Sequence, residues 1–311
     1  MAGMDTAALA ARIDELKAQH DAVILAHYYV DPEVQRVADY VGDSFYLAKL
    51  AVSLPQQTIV LCGVEFMGES VKLLNPSKTV LLPDPAADCP MAHMVKKETV
   101  DAARARYGDD LAVACYVNST VEIKSWSDVC VTSSNAVKIV SELPQQNVLF
   151  IPDKNLGRFV AEQVPQKNII LNDGCCPRHD EVSLAELRAL KAEHPLAKVL
   201  AHPECTKAVL DEADYIGSTS GIISFAEESD AAEFIIVTVR GVIFELEERC
   251  RAAGKRFFFT KTPPRCQDME LVTLEKVARC LETGAGEVSV DAAAAPQAKL
   301  VLDRMLEYAA R

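Results

Sequence analysis

A chain of 311 residues, half of them apolar, is long enough to bury two or three compact cores. Its formal net charge of −13 argues against a nucleic-acid or anionic-membrane surface, while local cationic and hydroxyl groups can still hold small anions. It has no apolar run of the roughly 18 residues that a membrane span needs, and its charged, helix-periodic start has no secretory core, so a cytoplasmic protein is expected.

In chain order, the helical segment ALAARIDELKAQH leads into an apolar run that closes on His27-Tyr28-Tyr29. PEVQRVADY follows with a 3.6 period, then GDS around Ser44, the apolar run TIVLCG, the helical EFMGESVKLL and the strand-like KTVLLPD. The loop PDPAADCPMA ends this first passage. The same succession returns with helix TVDAARARYG, a strand closing on Tyr116-Val117-Asn118-Ser119, VTSS around Ser133, NVLFIP, KNIILND and the loop NDGCCPRHD. It returns again with helix SLAELRALKAEH, a strand closing on His202-Pro203-Glu204, GSTS around Thr219, EFIIVT, KRFFFTK and the loop TKTPPRCQDM. Beyond about residue 271 the pattern is helical once more, and this tail is expected to pack back on the first unit.

His27, Tyr116 and His202 are spaced by 89 and 86 residues, and both Asp39, Asp128, Asp214 and Ser44, Ser133, Thr219 keep those spacings. The string LPQQ, at Leu54 and again at Leu143, shares the 89-residue offset. The chain is therefore a threefold repeat of βαβ character. The expected fold class is α/β: three repeated α/β/α units, each a small parallel sheet, arranged with pseudo-threefold symmetry around a central site. The units are read as 1–92, 93–180 and 181–270, with 271–311 as C-terminal helices packing on them.

Open α/β sheets bind ligands outside the carboxyl ends of their strands. His27, Tyr29, Tyr116, Asn118, His202 and Glu204 collect there, followed by Ser44, Ser133 and Thr219 where the next helix opens. One such hydroxyl is most often a simple helix cap. Three in register beside His, Tyr and Glu point instead to a shared anion site at helix N-termini.

A disulfide framework is not expected from ten cysteines in this context, and no Cys-x-x-Cys pair occurs. Cys62, Cys115, Cys250 and Cys280 sit in apolar strand or helix patterns as small hydrophobes. Cys89 and Cys266 each stand 11 residues beyond an aligned lysine (Lys78, Lys255), and Cys175 and Cys176 stand 8 and 9 beyond Lys167. Cys205 adjoins Glu204 in another register and is excluded. Cys176 is preferred to Cys175 because Pro177 follows it, as Pro90 follows Cys89, and because His179 stands three residues on; Cys175 remains a neighbour that could replace it. Structural zinc normally takes four ligands, whereas three cysteines can hold a [4Fe–4S] cluster with one iron left open as a Lewis acid. The residues also leave room for a mononuclear-metal aldolase or dehydratase acting on small anionic substrates, or for a non-catalytic dicarboxylate-binding protein.

The strings ILAHYYVDPEVQRVADYVGDS, GVEFMGESVKLLNPSKTVLLPDPAADCPMA, YVNSTVEIKSWSDVCVTSSNAVKIV, PDKNLGRFVA and HPECTKAVLDEADYIGSTSGII resemble the quinolinate synthase family over nearly the whole chain. The resemblance implies condensation of iminoaspartate with dihydroxyacetone phosphate to quinolinate, with loss of phosphate and water, in NAD biosynthesis. It also implies a functional link to an iminoaspartate-producing enzyme. It places a [4Fe–4S] cluster on Cys89, Cys176 and Cys266. It places binding and catalytic roles on His27, Tyr29, Ser44, Tyr116, Asn118, Ser133, His202, Glu204 and Thr219, with Glu204 as general acid/base assisted by Tyr29, His27 and His202. The chain departs from the family pattern at Val237–Gly241, at Gln267 after the last cysteine, and in lacking a C-terminal Cys-x-x-Cys-x-x-Cys.

Overall fold

Strands covered on both faces read as unbroken apolar runs, and Ala22–His27 and Leu111–Tyr116 are buried along their whole length. The computed structural model describes residues 5–311; residues 1–4, read above as part of the first unit, lie outside the described residues. Its twelve strands form three four-stranded parallel sheets. The first contains β1 (Ala22–His27), β2 (Tyr40–Gly42), β3 (Thr58–Cys62) and β4 (Thr79–Leu81), in the order β2-β1-β3-β4. The second contains β5 (Leu111–Tyr116), β6 (Val129–Val131), β7 (Asn147–Ile151) and β8 (Asn168–Leu171), and the third β9 (Lys198–Ala201), β10 (Tyr215–Ile216), β11 (Glu233–Val237) and β12 (Arg256–Phe258). Both repeat the first order, as β6-β5-β7-β8 and β10-β9-β11-β12. The chain reverses its direction of travel across each sheet at the central strand, which opens a crevice at the carboxyl edge.

The repeated residues do the same structural work three times. Asp39, Asp128 and Asp214 each accept a hydrogen bond from the backbone N–H of a residue in the central strand: Ile24 at 2.8 Å, Val113 at 2.7 Å and Val199 at 2.8 Å. The aligned lysines reach the carbonyls where the helix before the third strand ends. Lys78 donates to Ala51 and Leu54, Lys167 to Leu143 and Gln145, and Lys255 to Ala226, Glu227 and Ser229. A cation there satisfies carbonyls that the helix leaves unpaired and complements its negative end. LPQQ is the link into the third strand: the backbone N–H groups of Gln57 and Gln146 donate to Asp21 and Asp110, at 3.2 and 2.7 Å.

The first two sheets share one continuous apolar core with the C-terminal helices, whereas the third sheet has its own two smaller cores, one on each face. Helix Leu274–Thr283 lies against the N-terminal helix Thr6–Gln19, as expected for a tail returning to the first unit. The last helix, Ala295–Ala310, corrects that expectation in part. It packs mainly on β6 and helix Val121–Ser125 of the second passage, and Arg304 and Gln297 donate to the carbonyls of Asp128 and Ser127. Its Val301, Leu302 and Met305 are buried, and the apolar patch they need lies over the second sheet.

The third sheet meets the first through a close backbone approach. A Cβ on Gly241 would stand 2.7 Å from Tyr29 Cα and 2.8 Å from its carbonyl oxygen, and the Gly241 carbonyl accepts from Gln35 Nε2 at 3.2 Å. Gly241→Ala is expected to force the two loops apart and lower stability by about 1–3 kcal/mol, read as a lower denaturant midpoint; an unchanged midpoint would show that the loops yield freely.

Candidate active site

The carboxyl ends of all three sheets open onto one cavity. The first sheet supplies His27 and Tyr29 beyond β1 and Ser44 beyond β2; the second supplies Tyr116, Asn118 and Ser133; the third supplies His202, Glu204 and Thr219. Cys89, Cys176 and Cys266 also line it, while Cys175 and Cys205 do not. Every residue named from the sequence for this site thus faces a single space.

The hydroxyls are free for other work because their neighbours cap the helices. Asp43 accepts from Tyr46 N–H at 2.9 Å and Ser218 from Gly221 N–H at 3.2 Å, so Ser44 and Thr219 occupy the first helical turn with side chains uncommitted to capping. Ser133 lies in a turn, two residues before the cap of helix Ala136–Glu142.

The two histidines that end or follow the central strands are held alike. His27 Nδ1 accepts from the backbone N–H of Tyr29 at 3.2 Å, and His202 Nδ1 stands 3.4 Å from the backbone nitrogen of Glu204, again two residues on. Burial lowers His27 to about 3, so it is a neutral imidazole whose other nitrogen carries the proton.

A buried polar chain crosses the three sheets. Tyr29 Oη lies 2.7 Å from Thr219 Oγ1 and 2.8 Å from Thr238 Oγ1; Thr238 Oγ1 lies 2.9 Å from His179 Nε2; His179 Nδ1 lies 2.7 Å from Glu204 Oε2. Burial by itself would raise Glu204, but His202 and His179 outweigh it and hold the carboxyl well below its ordinary range. Burial lowers His179 despite the carboxylate beside it. Together these directions give an ionised Glu204 and a neutral His179 that donates from Nδ1 and accepts from Thr238 at Nε2. Glu204 Oε1 is buried with no partner, leaving an acceptor unused beside the cavity.

Each cysteine precedes a short helical turn: Cys89 before Pro90–His93, Cys176 before Pro177–Asp180 and Cys266 before Gln267–Glu270. Backbone N–H groups of those turns, from Ala92 and Met91, from His179, and from Met269 and Asp268, point at the sulfurs and favour their thiolates. Burial nevertheless pushes all three thiols up, Cys266 to about 11, so at neutral pH each keeps its proton unless a cation takes its place. Soft sulfur donors from three loops, each met by N–H groups, fit a metal centre. His179 Nδ1 is also 3.3 Å from Cys176 Sγ, and Asp153, fully buried, accepts from the backbone N–H of Cys176 at 2.8 Å. Cys205 is buried with its sulfur 3.7 Å from the Val237 carbonyl, a packing position.

Residues 11–307 match the family model described as Quinolinate synthetase A protein. The chain belongs to the quinolinate synthase family. A Quinolinate synthase of Fusobacterium nucleatum is 52% identical over 96% of this chain and 98% of its own length. Those of Caldicellulosiruptor saccharolyticus and Clostridioides difficile are 43% and 45% identical, over 98% and 90% of this chain and 99% and 91% of theirs. The family therefore covers all three sheets and most of the C-terminal helices.

Sequence reasoning passed over Thr238 and Asp153, and it saw His179 only as a neighbour of Cys176. Thr238 sits in the stretch that departs from the family pattern, and nothing in its spacing marks it. Asp153 does fit a helix cap, since its side chain accepts from Leu156 N–H at 2.7 Å. Thr238→Val strips a partner from both Tyr29 and His179 and is expected to cost about 1–3 kcal/mol. The Tyr29→Phe/Thr238→Val double variant should lose less than the sum of the two single losses; strict additivity in denaturant titrations would break the proposed link.

Proposed function

We propose that this cavity carries the quinolinate synthase activity of the family in NAD biosynthesis, condensing iminoaspartate with dihydroxyacetone phosphate to quinolinate with loss of phosphate and water. The observation that carries the reading is the convergence of three equivalent cysteine loops and three equivalent strand ends on one buried space.

Cys89, Cys176 and Cys266 are the residues that would hold a [4Fe–4S] cluster. Such a cluster, when bound there, would supply Lewis acidity toward a substrate oxygen or nitrogen without a net redox step. Cys176, His179 and Glu204 also place one ligand atom each within 4.8 Å of one another. Because His179 and Glu204 already hydrogen-bond each other, they serve as an orienting pair rather than as a mononuclear site.

Ser44, Tyr116, Asn118, Ser133 and His202 grip the carboxylates and phosphate by donated hydrogen bonds, His27 donates from Nε2, and Thr219, whose proton goes to Tyr29, lines the site beside them. Glu204 is the general base, taking a proton at Oε1 during enolisation and returning it to a departing hydroxyl, while His179 fixes its other oxygen. Tyr29, held by Thr219 and Thr238, assists that transfer. Burial of the cavity keeps bulk water from the labile imine.

Protein purified anaerobically is expected to bind about four irons and to form quinolinate from the two substrates. Glu204→Gln should lower turnover by at least ~100-fold with the visible absorption retained; near-normal turnover would remove Glu204 from the chemistry. Cys176→Ser should lose the iron and Cys175→Ser should keep it, by metal analysis; the opposite result would exchange their roles.

A further inference from the structure

Arg178 stands on the turn that follows Cys176, and its side chain forms part of the cavity wall. Among the described residues lining that cavity it is the one lysine or arginine. Its Nε is buried and meets no hydrogen-bond acceptor. The guanidinium forms no ion pair among the described residues: of the two carboxylates of the same wall, Asp43 bonds Tyr46 N–H and Ser220, and Glu204 bonds His179 through Oε2, while neither Glu204 Oε1 nor Arg178 Nε reaches a partner. The remaining polar groups there, such as Ser44, Asn118, Ser133 and Thr219, are neutral.

A fixed positive charge set against a wall without a partner is costly unless something anionic completes it. Planar, multiply donating guanidinium suits a carboxylate or phosphate better than any other side chain does. We propose that Arg178 is an anion-recognition residue of this site, binding an oxyanion group of the substrate, carboxylate or phosphate, from the cysteine-loop side of the cavity. This rests on the functional reading above and adds to it a residue that neither the repeat nor the family resemblance marked. The unit-one and unit-three counterparts beside Cys89 and Cys266 are Met91 and Asp268, so the charge is supplied from one loop of the three.

The test uses the anaerobically purified holoenzyme and two probes, inorganic phosphate and pyridine-2,3-dicarboxylate, measured by calorimetry and as inhibitors of quinolinate formation. Arg178→Gln is expected to weaken at least one probe by about 10- to 100-fold, with iron content and visible absorption as in the parent protein. Arg178→Lys should recover part of the loss, since it restores the charge but not the fork. Weakening confined to phosphate assigns the phosphate group, and weakening confined to the dicarboxylate assigns a carboxylate. Unchanged binding of both probes overturns the proposal. Loss of iron alongside weaker binding also overturns it, since Arg178 would then be holding the Cys176 and Cys266 loops. A parent protein that binds neither probe and forms no quinolinate would remove the functional reading itself, and the role of Arg178 with it.

Discussion

A carboxylate that is only 4% exposed must be paired or protonated, and Glu204 is paired with a histidine from another sheet's cysteine loop. Much of the site depends on that contact. His179 cannot reach Glu204 unless the loop after β8 folds over the end of β9, and the same fold brings Cys176 to the cavity. Thr238 then ties His179 to Tyr29, beyond β1. Asn155 Nδ2 adds a bond to the Glu204 carbonyl at 3.0 Å, from the helix that Asp153 caps. The constellation is thus one network with members on three sheets, and no single sheet can form it.

The repeat distributes two kinds of work between different positions. Asp39, Asp128 and Asp214, with Lys78, Lys167 and Lys255, tie each central strand and each helix end within its own sheet. Their spacing is kept because the same backbone groups need the same partners in every copy. The strand-end positions have instead diverged to His, Tyr and His, and the loops to Met91, Arg178 and Asp268 around their cysteines. Equivalent backbone geometry with different side chains lets three copies present three chemistries to one cavity.

Much of this was legible in the residues. Buried parallel strands leave continuous apolar runs, so the order of elements and their threefold recurrence could be read directly, and the recurrence separated Cys89, Cys266 and the adjacent Cys175 and Cys176 from the other six cysteines. The C-terminal helices were less legible. Their apolar faces announce burial but not the surface that receives them, and the last one went largely to the second sheet. Which residue caps each helix was not legible either, for a related reason. Asp43 and Ser44, or Ser218 and Thr219, are equally good caps in sequence, and only the helix phase decides which side chain turns back to the backbone and which faces the cavity.

The sequence by itself determined the α/β class, the three sheets and the residues at the carboxyl end of each, because hydrophobic period and repeat spacing are local properties of the chain. Tertiary structure decided the rest: the bond from His179 to Glu204, the link through Thr238 to Tyr29, and the unpartnered guanidinium of Arg178. Each depends on groups tens to hundreds of residues apart meeting at hydrogen-bond distance, or failing to meet, and no pattern along one chain encodes such distances.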